Sequence, residues 1–284
     1  MNVPSSVGFD AVLGCLLGGA IGDAFGGVAE RGGLSLSDDT QLTLATCESI
    51  AAARDIKPEH LAETFRNGFR AGRFTGLGSS TLKALTDLDA GAHWALSGAQ
   101  GEMAAGNGAA MRIAPLAFLP DVSRTTIRDV ARITHRHDEA YVGALAVVVA
   151  IQAVFAGSPV PTCYEIAVQL PDSTVRDRLE AWTDDGERGF ADQARKLGVS
   201  GHVAATVPLA LAAARRMEQT SFEETLELLV EFGGDTDTIA SIAGQIGGAR
   251  LGLSGLPEAL LARLPERELV EKTARDFAAV VLSL

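Results

Sequence analysis

The 284-residue sequence predicts an all-α fold, a compact multi-helix bundle that forms one domain over residues 1–284. Apolar residues recur at helical spacing along most of the chain, and no stretch alternates convincingly between apolar and polar residues as a strand would. The chain contains 31 glycines, and small residues at this density allow helix backbones to approach closely. No linker, internal repeat or low-complexity tract divides the sequence.

The predicted helices follow one another with short connections. They cover about residues 8–26, 39–54, 58–71, 79–89, 110–118, 126–133, 138–156, 163–169, 203–217, 222–231, 237–251 and 257–281. Pro58, Pro208 and Pro257 are expected in first helical turns, where a missing N–H leaves no hydrogen bond unmade. Residues 220–224 resemble a capped helix start. Residues 157–201 are more polar and are expected to form a loop-rich excursion within the same domain.

Two stripes of glycine predict where helices touch. Glycine recurs every four residues in each of two segments, as Gly14, Gly18, Gly22 and Gly26 in the first and as Gly244, Gly248 and Gly252 in the second. Each glycine inside a helix costs about 1 kcal/mol relative to alanine. A whole stripe is therefore expected only where a second backbone packs against it. Each stripe also borders an acidic motif.

The charge balance excludes several classes of partner. The chain has 36 acidic and 24 basic residues, which gives a formal net charge of −12. Such a surface repels nucleic acid and anionic lipid, so the expected partner is a small molecule or a protein. Residues 140–157 lack charge but only just reach the length of a membrane-spanning helix, and they are expected to form a buried central helix instead.

The cysteines and the N-terminal residues bear on cellular location. Cys15, Cys47 and Cys163 are odd in number and lack metal-type spacing, so reduced thiols are expected. The first ten residues carry no basic flank and show no readable targeting signal. Together these features predict a cytoplasmic protein.

Two acidic clusters each open a predicted helix, residues 37–40 (Ser-Asp-Asp-Thr) and residues 233–238 (Gly-Gly-Asp-Thr-Asp-Thr). Taken singly, each cluster is explained by capping, because Ser and Asp accept hydrogen bonds at a helix N-terminus. Together they supply four carboxylates with no basic run nearby, and such carboxylates repel one another unless a cation intervenes. Oxygen ligands without Cys or His favour Mg²⁺ or Mn²⁺, and this many oxygens could hold two ions.

Three further segments could contact a ligand. Backbone N–H groups of the turn at residues 106–108 could hold a diphosphate, although an ordinary Asn-Gly turn is the simpler explanation. His135 and His137 could contact a ligand, bind a metal or cap the helix that begins near residue 138. The Gly-rich residues 76–81 also precede a helix, but they are a weak dinucleotide signal because no strand comes before them.

In combination these segments resemble the ADP-ribosylglycohydrolase family, which includes the dinitrogenase-reductase-activating glycohydrolases and the ADP-ribosyl-acceptor hydrolases. The matching motifs occur in the family's order between residues 14 and 252. They are residues 18–26 (Gly-Gly-Ala-Ile-Gly-Asp-Ala-Phe-Gly), 37–40, 106–112, 134–135 and 233–238. The resemblance implies a compact all-α domain with a binuclear Mg²⁺ or Mn²⁺ centre at the base of a cleft.

The resemblance also implies roles for individual residues. The implied metal ligands are Ser37, Asp38 and Asp39 from the first cluster and Asp235, Asp237 and Thr238 from the second. The implied lining of the ADP-ribose cleft is Gly106, Asn107, Gly108 and His135. Glu30 falls where some relatives have a mobile glutamate near the metals. Either Glu30 or Asp38 would accept the proton of the attacking water.

The implied activity is hydrolysis of the glycosidic bond between C1″ of ADP-ribose and an acceptor, most often an arginine side chain, which reverses ADP-ribosylation. The ions would orient the distal ribose diol and lower the pKa of a bound water. Ser37 stands where the family usually has Thr, and the short segment between Glu30 and Ser37 predicts a more open cleft. Ala104 stands where some relatives carry an acidic or hydroxyl residue, which leaves the acceptor open.

Two other functions fit part of the sequence. A metal phosphohydrolase of the helical His-Asp type would use His137 and Asp138, with His60 and His93, as metal ligands. An ADP-ribose-binding protein without turnover would keep the cleft, and Ala104 makes that alternative conceivable. The phosphohydrolase interpretation gives no function to the motif at residues 233–238, so the glycohydrolase is the preferred interpretation.

Overall fold

The computed structural model describes residues 5–183 and 186–284, and the fold is all-α, as the sequence predicts. Within these residues no β-strand forms, and only two isolated bridges occur, Ala99 with His135 and Gly106 with His202. The helices are α1 (Ser5–Gly26), α2 (Val28–Arg31), α3 (Asp38–Ala53), α4 (Pro58–Arg70), α5 (Ser79–Asp89), α6 (Trp94–Ser97), α7 (Arg124–Arg132), α8 (Asp138–Phe155), α9 (Cys163–Ala167), α10 (Thr174–Glu180), α11 (Gly186–Leu197), α12 (Val203–Gln219), α13 (Phe222–Phe232), α14 (Thr236–Leu251), α15 (Glu258–Leu261) and α16 (Arg267–Val281).

Helices α1 and α14 lie antiparallel in direct backbone contact, as the glycine stripes predict. A Cβ on Gly22 would lie 2.0 Å from the carbonyl oxygen of Ala240, and a Cβ on Gly26 would lie 2.6 Å from that of Thr236. Any side chain larger than hydrogen would separate the two backbones at these positions. The contact therefore sets the end of α1 beside the start of α14.

The other long helices surround this pair. Helices α8 and α12 pack against α14, and α16 packs against both α1 and α3. Residues 8–26 of α1 and the whole of α8 are long and apolar enough to cross a membrane by length and composition alone. Inside the protein, 78% of the first window and 67% of the second are buried. Both helices are thus mostly buried against neighbouring helices, as the core helices of a bundle are.

Two predicted helices are wrong in their extent. The helix predicted over residues 110–118 does not form an α-helix: residues 110–112 are turn, and Ala114–Phe118 forms a short 3-10 helix. Pro115 disfavours α-helical backbone at the residue before it, which explains the difference. The helix predicted over residues 257–281 is two helices, because Pro265 cannot donate a helical hydrogen bond and Glu266 has a left-handed φ of 53°.

The three prolines expected in first turns behave differently from one another. Pro58 begins α4 as predicted, whereas Pro257 immediately precedes α15 and Pro208 lies in the interior of α12. Pro208 leaves the carbonyl of Ala204 without its helical N–H donor. The guanidinium of Arg178, in α10, donates to that carbonyl at 3.2 Å. A contact from another helix thus compensates for the proline.

The polar stretch at residues 157–201 is more helical than the sequence indicates, because it contains α10 and α11 in addition to α9. Glu139 of α8 accepts from the first two N–H groups of α10, those of Thr174 and Val175, at 2.7 and 3.0 Å. Such support from a distant helix leaves no trace in local periodicity. The capped start predicted at residues 220–224 is confirmed, since the side chain of Ser221 accepts from the N–H of Glu224 at 3.0 Å.

The glycine contact gives a test of the fold. We expect Gly22→Ala to lower the free energy of unfolding by about 1–3 kcal/mol, because the new Cβ forces α1 and α14 apart. Gly8→Ala is the matched control in the same helix, since its Cβ would meet only side-chain atoms, the nearest being Cδ2 of Leu282 at 3.1 Å. Urea unfolding measures the difference. Equal stability of the two variants would contradict the backbone contact.

Candidate functional site

Asp23, near the end of α1, ties that helix to the start of α3. Its carboxylate is fully buried and accepts from the N–H and the hydroxyl of Ser37, at 2.9 and 2.8 Å. It also accepts from the hydroxyl of Thr40 at 2.7 Å. Sequence reasoning placed Asp23 in a motif but gave it no role, because its partners come from another helix. The carboxylate fixes the position of the first acidic cluster.

Capping explains only part of the first acidic cluster. Ser37 is the N-cap of α3, and its hydroxyl accepts from the N–H of Asp39 at 3.3 Å. Asp38 and Asp39 are buried in the first turn. One oxygen of Asp39 accepts from the hydroxyls of Ser37 and Thr238, at 3.0 and 3.3 Å. The other oxygen has no hydrogen-bond partner among the described residues.

The second cluster opens α14 without a side-chain cap. Asp235 occupies the N-cap position, but its side chain makes no capping hydrogen bond to the described backbone. It accepts instead from the side-chain amide of Asn107 and from the hydroxyl of Thr238. Asp237 accepts from the N–H of Thr238 at 2.8 Å. The capping alternative therefore does not account for Asp235.

The two clusters meet in space although they are far apart in sequence. The hydroxyl of Thr238 donates to Asp39, which lies 199 positions earlier. Single carboxylate oxygens of Asp23, Asp39 and Asp237 lie within 4.8 Å of one another. The antiparallel contact of α1 and α14 produces this proximity, because it sets the last turn of one helix beside the first turn of the other.

Burial and mutual repulsion raise the pKa values of three carboxylates in the two clusters, those of Asp38, Asp39 and Asp235. Burial, with Asp23 and Asp237 nearby, raises the pKa of Asp38 to about 8. Burial and the neighbouring Asp23 raise the pKa of Asp39 well above its usual value, and burial and Asp237 raise that of Asp235 to about 6. A divalent cation would stabilise the charged forms. The all-oxygen donor set and the unpartnered oxygen of Asp39 fit such a cation.

One basic side chain enters the acidic cluster, although no basic run lies near either acidic motif in the sequence. Arg31, at the end of α2, lies 2.8 Å from a carboxylate oxygen of Asp237 and 3.0 Å from one of Asp23. The sequence shows only a lone arginine before two glycines. Its partner Asp237 is 206 positions away, and local patterns cannot show that pairing.

Glu30, the first candidate for the catalytic base, lies in α2 directly before Arg31. Its side chain falls outside the described residues. Its proposed role as proton acceptor therefore stays a prediction. Asp38, the second candidate, accepts from the backbone N–H of Gly78.

The carboxylates line part of a cleft with a volume of about 360 Å³. Of the predicted site residues, the cleft is lined by Asp38, Asp39, Gly106, Asn107, Gly108, His135, Asp235, Asp237 and Thr238. Ser37 lies just behind it, since a Cβ on Gly76 would lie 3.5 Å from that of Ser37. A larger cavity of about 550 Å³, near Trp182 and Phe190, contains none of these residues.

The cleft also includes a turn to which sequence reasoning gave little weight. Gly76, Gly78, Ser79, Ser80 and Thr81 lie along it. Their Gly-rich pattern before α5 was visible, but a dinucleotide fingerprint was the wrong comparison, because this turn follows no strand. Only the packing of α5 beside the turn at residues 106–108 makes it part of the site.

The turn at residues 106–108 is rich in glycine because His135 lies against it. A Cβ on Gly108 would lie 2.7 Å from Cε1 of His135, and a Cβ on Gly106 would lie 3.1 Å from Nε2. The N–H of Asn107 donates to the carbonyl of Gly201 at 3.0 Å, which anchors the turn to the start of α12. The glycines therefore make room for an imidazole, and their contact with a diphosphate stays a prediction.

His135 is neutral and is held by a buried arginine. Burial, together with the nearby Arg112 and His137, lowers the pKa of His135 to about 3. Nδ1 of His135 lies 2.9 Å from the hydroxyl of Thr134, which accepts from Arg112 at 2.8 Å. Because Arg112 donates to this hydroxyl, the hydroxyl hydrogen can go to Nδ1. In that tautomer Nε2 carries the proton and offers an N–H donor on the side of Gly106.

The histidines required by a His-Asp phosphohydrolase are not gathered at the acidic cluster. His137 is the N-cap of α8 and accepts from the N–H of Glu139 at 3.1 Å. His93 caps α6 in the same way, and Nδ1 of His60 lies 2.8 Å from the hydroxyl of Ser49. Among the described residues, the group suited to a metal consists of carboxylates alone. The helix-cap interpretation of His137 is confirmed.

Comparison with known proteins gives a consistent result over the whole chain. Residues 4–283 match the ADP-ribosylglycohydrolase family. The ADP-ribosyl-[dinitrogen reductase] glycohydrolase of Rhodospirillum rubrum is 25% identical, with 97% of this chain and 96% of that protein covered. The ADP-ribosylarginine hydrolase Tri1 of Serratia proteamaculans is 29% identical, with 97% and 81% covered. A solved structure, an ADP-ribosylglycohydrolase-related protein complex, matches with a TM-score of 0.71 and 26% identity over 97% and 99% of the two chains.

The raised pKa values give a test of the carboxylate cluster. The folded protein retains protons on Asp38 and Asp235 that the unfolded chain releases, so this contribution to stability is present below about pH 4 and is lost as pH rises through 6 and 8. With a chelator present, we expect the free energy of unfolding to fall over this range, and to fall less steeply in Asp38→Asn. Denaturant titrations between pH 5 and 8.5 measure both slopes. If the free energy of unfolding of the chelated wild type rises with pH instead, the raised pKa values of Asp38 and Asp235 are contradicted.

Proposed function

The chain belongs to the ADP-ribosylglycohydrolase family of hydrolytic enzymes, and on this basis we propose that it hydrolyses the glycosidic bond between ADP-ribose and an arginine side chain of a protein. Two observations support the acceptor. One relative is named an ADP-ribosylarginine hydrolase, and another acts on ADP-ribosylated dinitrogen reductase. The observation that carries the proposal is the meeting of two acidic clusters in a cleft that also contains the 106–108 turn and His135. The reaction would reverse ADP-ribosylation.

The proposed enzyme depends on Mg²⁺ or Mn²⁺ held at the acidic cluster. The residues that would hold the ions are Ser37, Asp38, Asp39, Asp235, Asp237 and Thr238. Bound there, a divalent ion would orient the ribose hydroxyls and lower the pKa of a water. The family pattern implies two such ions. The buried carboxylates with raised pKa values support a cation requirement at this place.

The chain's own groups would position the ADP-ribose and move the proton. The turn at residues 106–108 would receive the phosphates, and the neutral His135 would offer its Nε2–H without adding charge. Asp38 would accept the proton of the attacking water, because its carboxylate lines the cleft beside the other acidic residues. Glu30 is the alternative base. Asn107 would keep Asp235 in place through its side-chain amide.

Two adjacent residues near the cleft, Met103 and Ala104, bear on which group linked to ADP-ribose the protein would accept. Met103 lines the cleft and is 91% exposed, whereas the adjacent Ala104 is buried. A methyl group at Ala104 supplies neither an acid nor a hydroxyl, which favours the second candidate function, an ADP-ribose-binding protein without turnover. We propose the hydrolase because both carboxylate clusters are complete in this chain.

The net charge and the cysteines of the chain support a proposal about its cellular location. The chain's formal net charge of −12 argues against electrostatic binding to nucleic acid or to an anionic membrane. Its three cysteines are buried thiols. Reduced cysteines are typical of cytoplasmic proteins, so we propose that the enzyme acts in the cytoplasm.

A panel of ADP-ribosylated substrates tests the proposed reaction. We expect hydrolysis of arginine-linked ADP-ribose in the presence of Mg²⁺ or Mn²⁺ and loss of turnover after chelation, because the carboxylates then lack their cation. Serine-linked and O-acetyl-linked ADP-ribose in the same assay identify the acceptor. Tight binding of ADP-ribose without hydrolysis of any conjugate would select the binding protein instead.

Single substitutions separate the metal ligands from the ligand cleft. We expect Asp38→Ala and Asp235→Ala each to lose bound metal, whereas His135→Ala should keep the metal and weaken ADP-ribose binding about tenfold or more, by loss of a hydrogen bond and of packing. His137→Ala is the matched control, because His137 caps α8 outside the cluster. Metal analysis and calorimetric titration with ADP-ribose provide the readout. Normal metal content in Asp38→Ala would reduce the first cluster to a helix cap.

A further inference from the structure

The guanidinium of Arg31 lies inside the acidic cluster and not on the protein surface. One nitrogen donates to Asp237 at 2.8 Å, and another donates to Asp23 at 3.0 Å. The Arg31 side chain is 19% exposed, while the Asp23 and Asp237 side chains are 0% and 12% exposed. A charge-assisted pair with this little solvent is stronger and less screened than a surface pair.

The surrounding backbone is shaped to hold this guanidinium. The nitrogen that contacts Asp23 also donates to the carbonyl of Asp23 and to that of Ser35, the latter at 2.9 Å. Gly27 makes the space, because a Cβ there would lie 2.1 Å from Cζ of Arg31. Four acceptors and a glycine therefore fix the group in one place.

That place lies within a group of carboxylates that could hold a metal ion. In the described part of the chain, the carboxylates whose oxygens converge within 4.8 Å are those of Asp23, Asp39 and Asp237. Arg31 already pairs with Asp23 and Asp237. A divalent ion between these same oxygens would lie against the guanidinium, and like charges at that range repel strongly.

The remaining carboxylates have no such internal cation. Asp38, Asp39 and Asp235 line the cleft, and Arg31 contacts none of them in the described structure. One oxygen of Asp39 is buried without a hydrogen-bond partner among the described residues. Asp38, Asp39 and Asp235, with Thr238, are therefore the part of the cluster where a metal ion would still offset the negative charge.

We propose that Arg31 replaces one of the two cations, so that the chain binds a single divalent ion, on the cleft side of the cluster among Asp38, Asp39, Asp235 and Thr238. The inference rests on the metal binding proposed above but not on turnover. The guanidinium supplies a fixed positive charge beside Asp237 and orients its carboxylate through a hydrogen bond of 2.8 Å. The second ion of the family pattern is then unnecessary for holding the carboxylates together.

Manganese stoichiometry tests this inference without an activity assay. Wild-type protein, stripped with a chelator and titrated with Mn²⁺, is expected to bind one ion per chain and to give the six-line electron paramagnetic resonance spectrum of an isolated ion. Arg31→Met keeps most of the aliphatic stem and removes the charge. It is expected to bind two ions per chain and to show the broadened spectrum of a coupled pair.

Arg73→Met is the matched control, because it removes an arginine from an exposed pair with Glu48 and changes the net charge by the same amount. It should bind one ion, as the wild type does. Two ions in the wild type, or no additional ion in Arg31→Met, would overturn the inference. If Arg31→Met fails to fold by circular dichroism, the wild-type spectrum alone decides, since a coupled pair there is incompatible with a guanidinium in the second position.

Hydrolysis measured on the same samples keeps the two proposals distinguishable. Turnover with one bound ion supports both proposals. Absence of turnover with one bound ion removes the proposed reaction and leaves the role of Arg31 intact. Turnover with two bound ions in the wild type removes the role of Arg31 and leaves the reaction intact.

Discussion

The backbone contact between α1 and α14 is the constraint on which the rest of the structure depends. Glycine at every fourth position lets the two antiparallel helices approach until only a hydrogen separates each from the other's carbonyl oxygens. The close approach sets the end of α1, with Asp23, beside the start of α14, with Asp237. An ordinary helix spacing of 8–10 Å would move these carboxylates apart. The glycine stripes thus lower the helix propensity of α1 and α14. In return, the close packing that they allow determines the geometry of the acidic cluster.

A cluster of buried carboxylates is unfavourable by itself, and the fold offsets its cost locally. Asp23 receives four hydrogen bonds from Ser37 and Thr40, and Arg31 neutralises part of the charge. The pKa values of Asp38, Asp39 and Asp235 are raised above the usual value for an aspartate. Buried carboxylates this close together are a usual sign of a functional site, because a protein selected for stability alone would not bury like charges together.

The rest of the cleft depends on a second close approach, that of His135 to the turn at residues 106–108. Glycine is needed there for the imidazole, while Arg112 and Thr134 hold the ring from behind. The fully buried Arg112 also lies over the ring of Phe65, with its Cζ 4.9 Å from the ring centroid. Its contact with His135 runs through the hydroxyl of Thr134.

The sequence by itself determined the fold class, the stripes that pack together and the residues of both acidic clusters, because helical periodicity, glycine spacing and residue chemistry are local properties. It also offered helix capping as one explanation of residues 37–40, and Ser37 is the N-cap of α3. The break at Pro265 was open to the same local reasoning. Only the tertiary structure decided which groups meet: Asp23 with Ser37, Arg31 with Asp237, and the turn at residues 76–81 with the cleft. These pairings join segments up to 206 positions apart. Their energies depend on burial and distance in three dimensions, which no local pattern encodes.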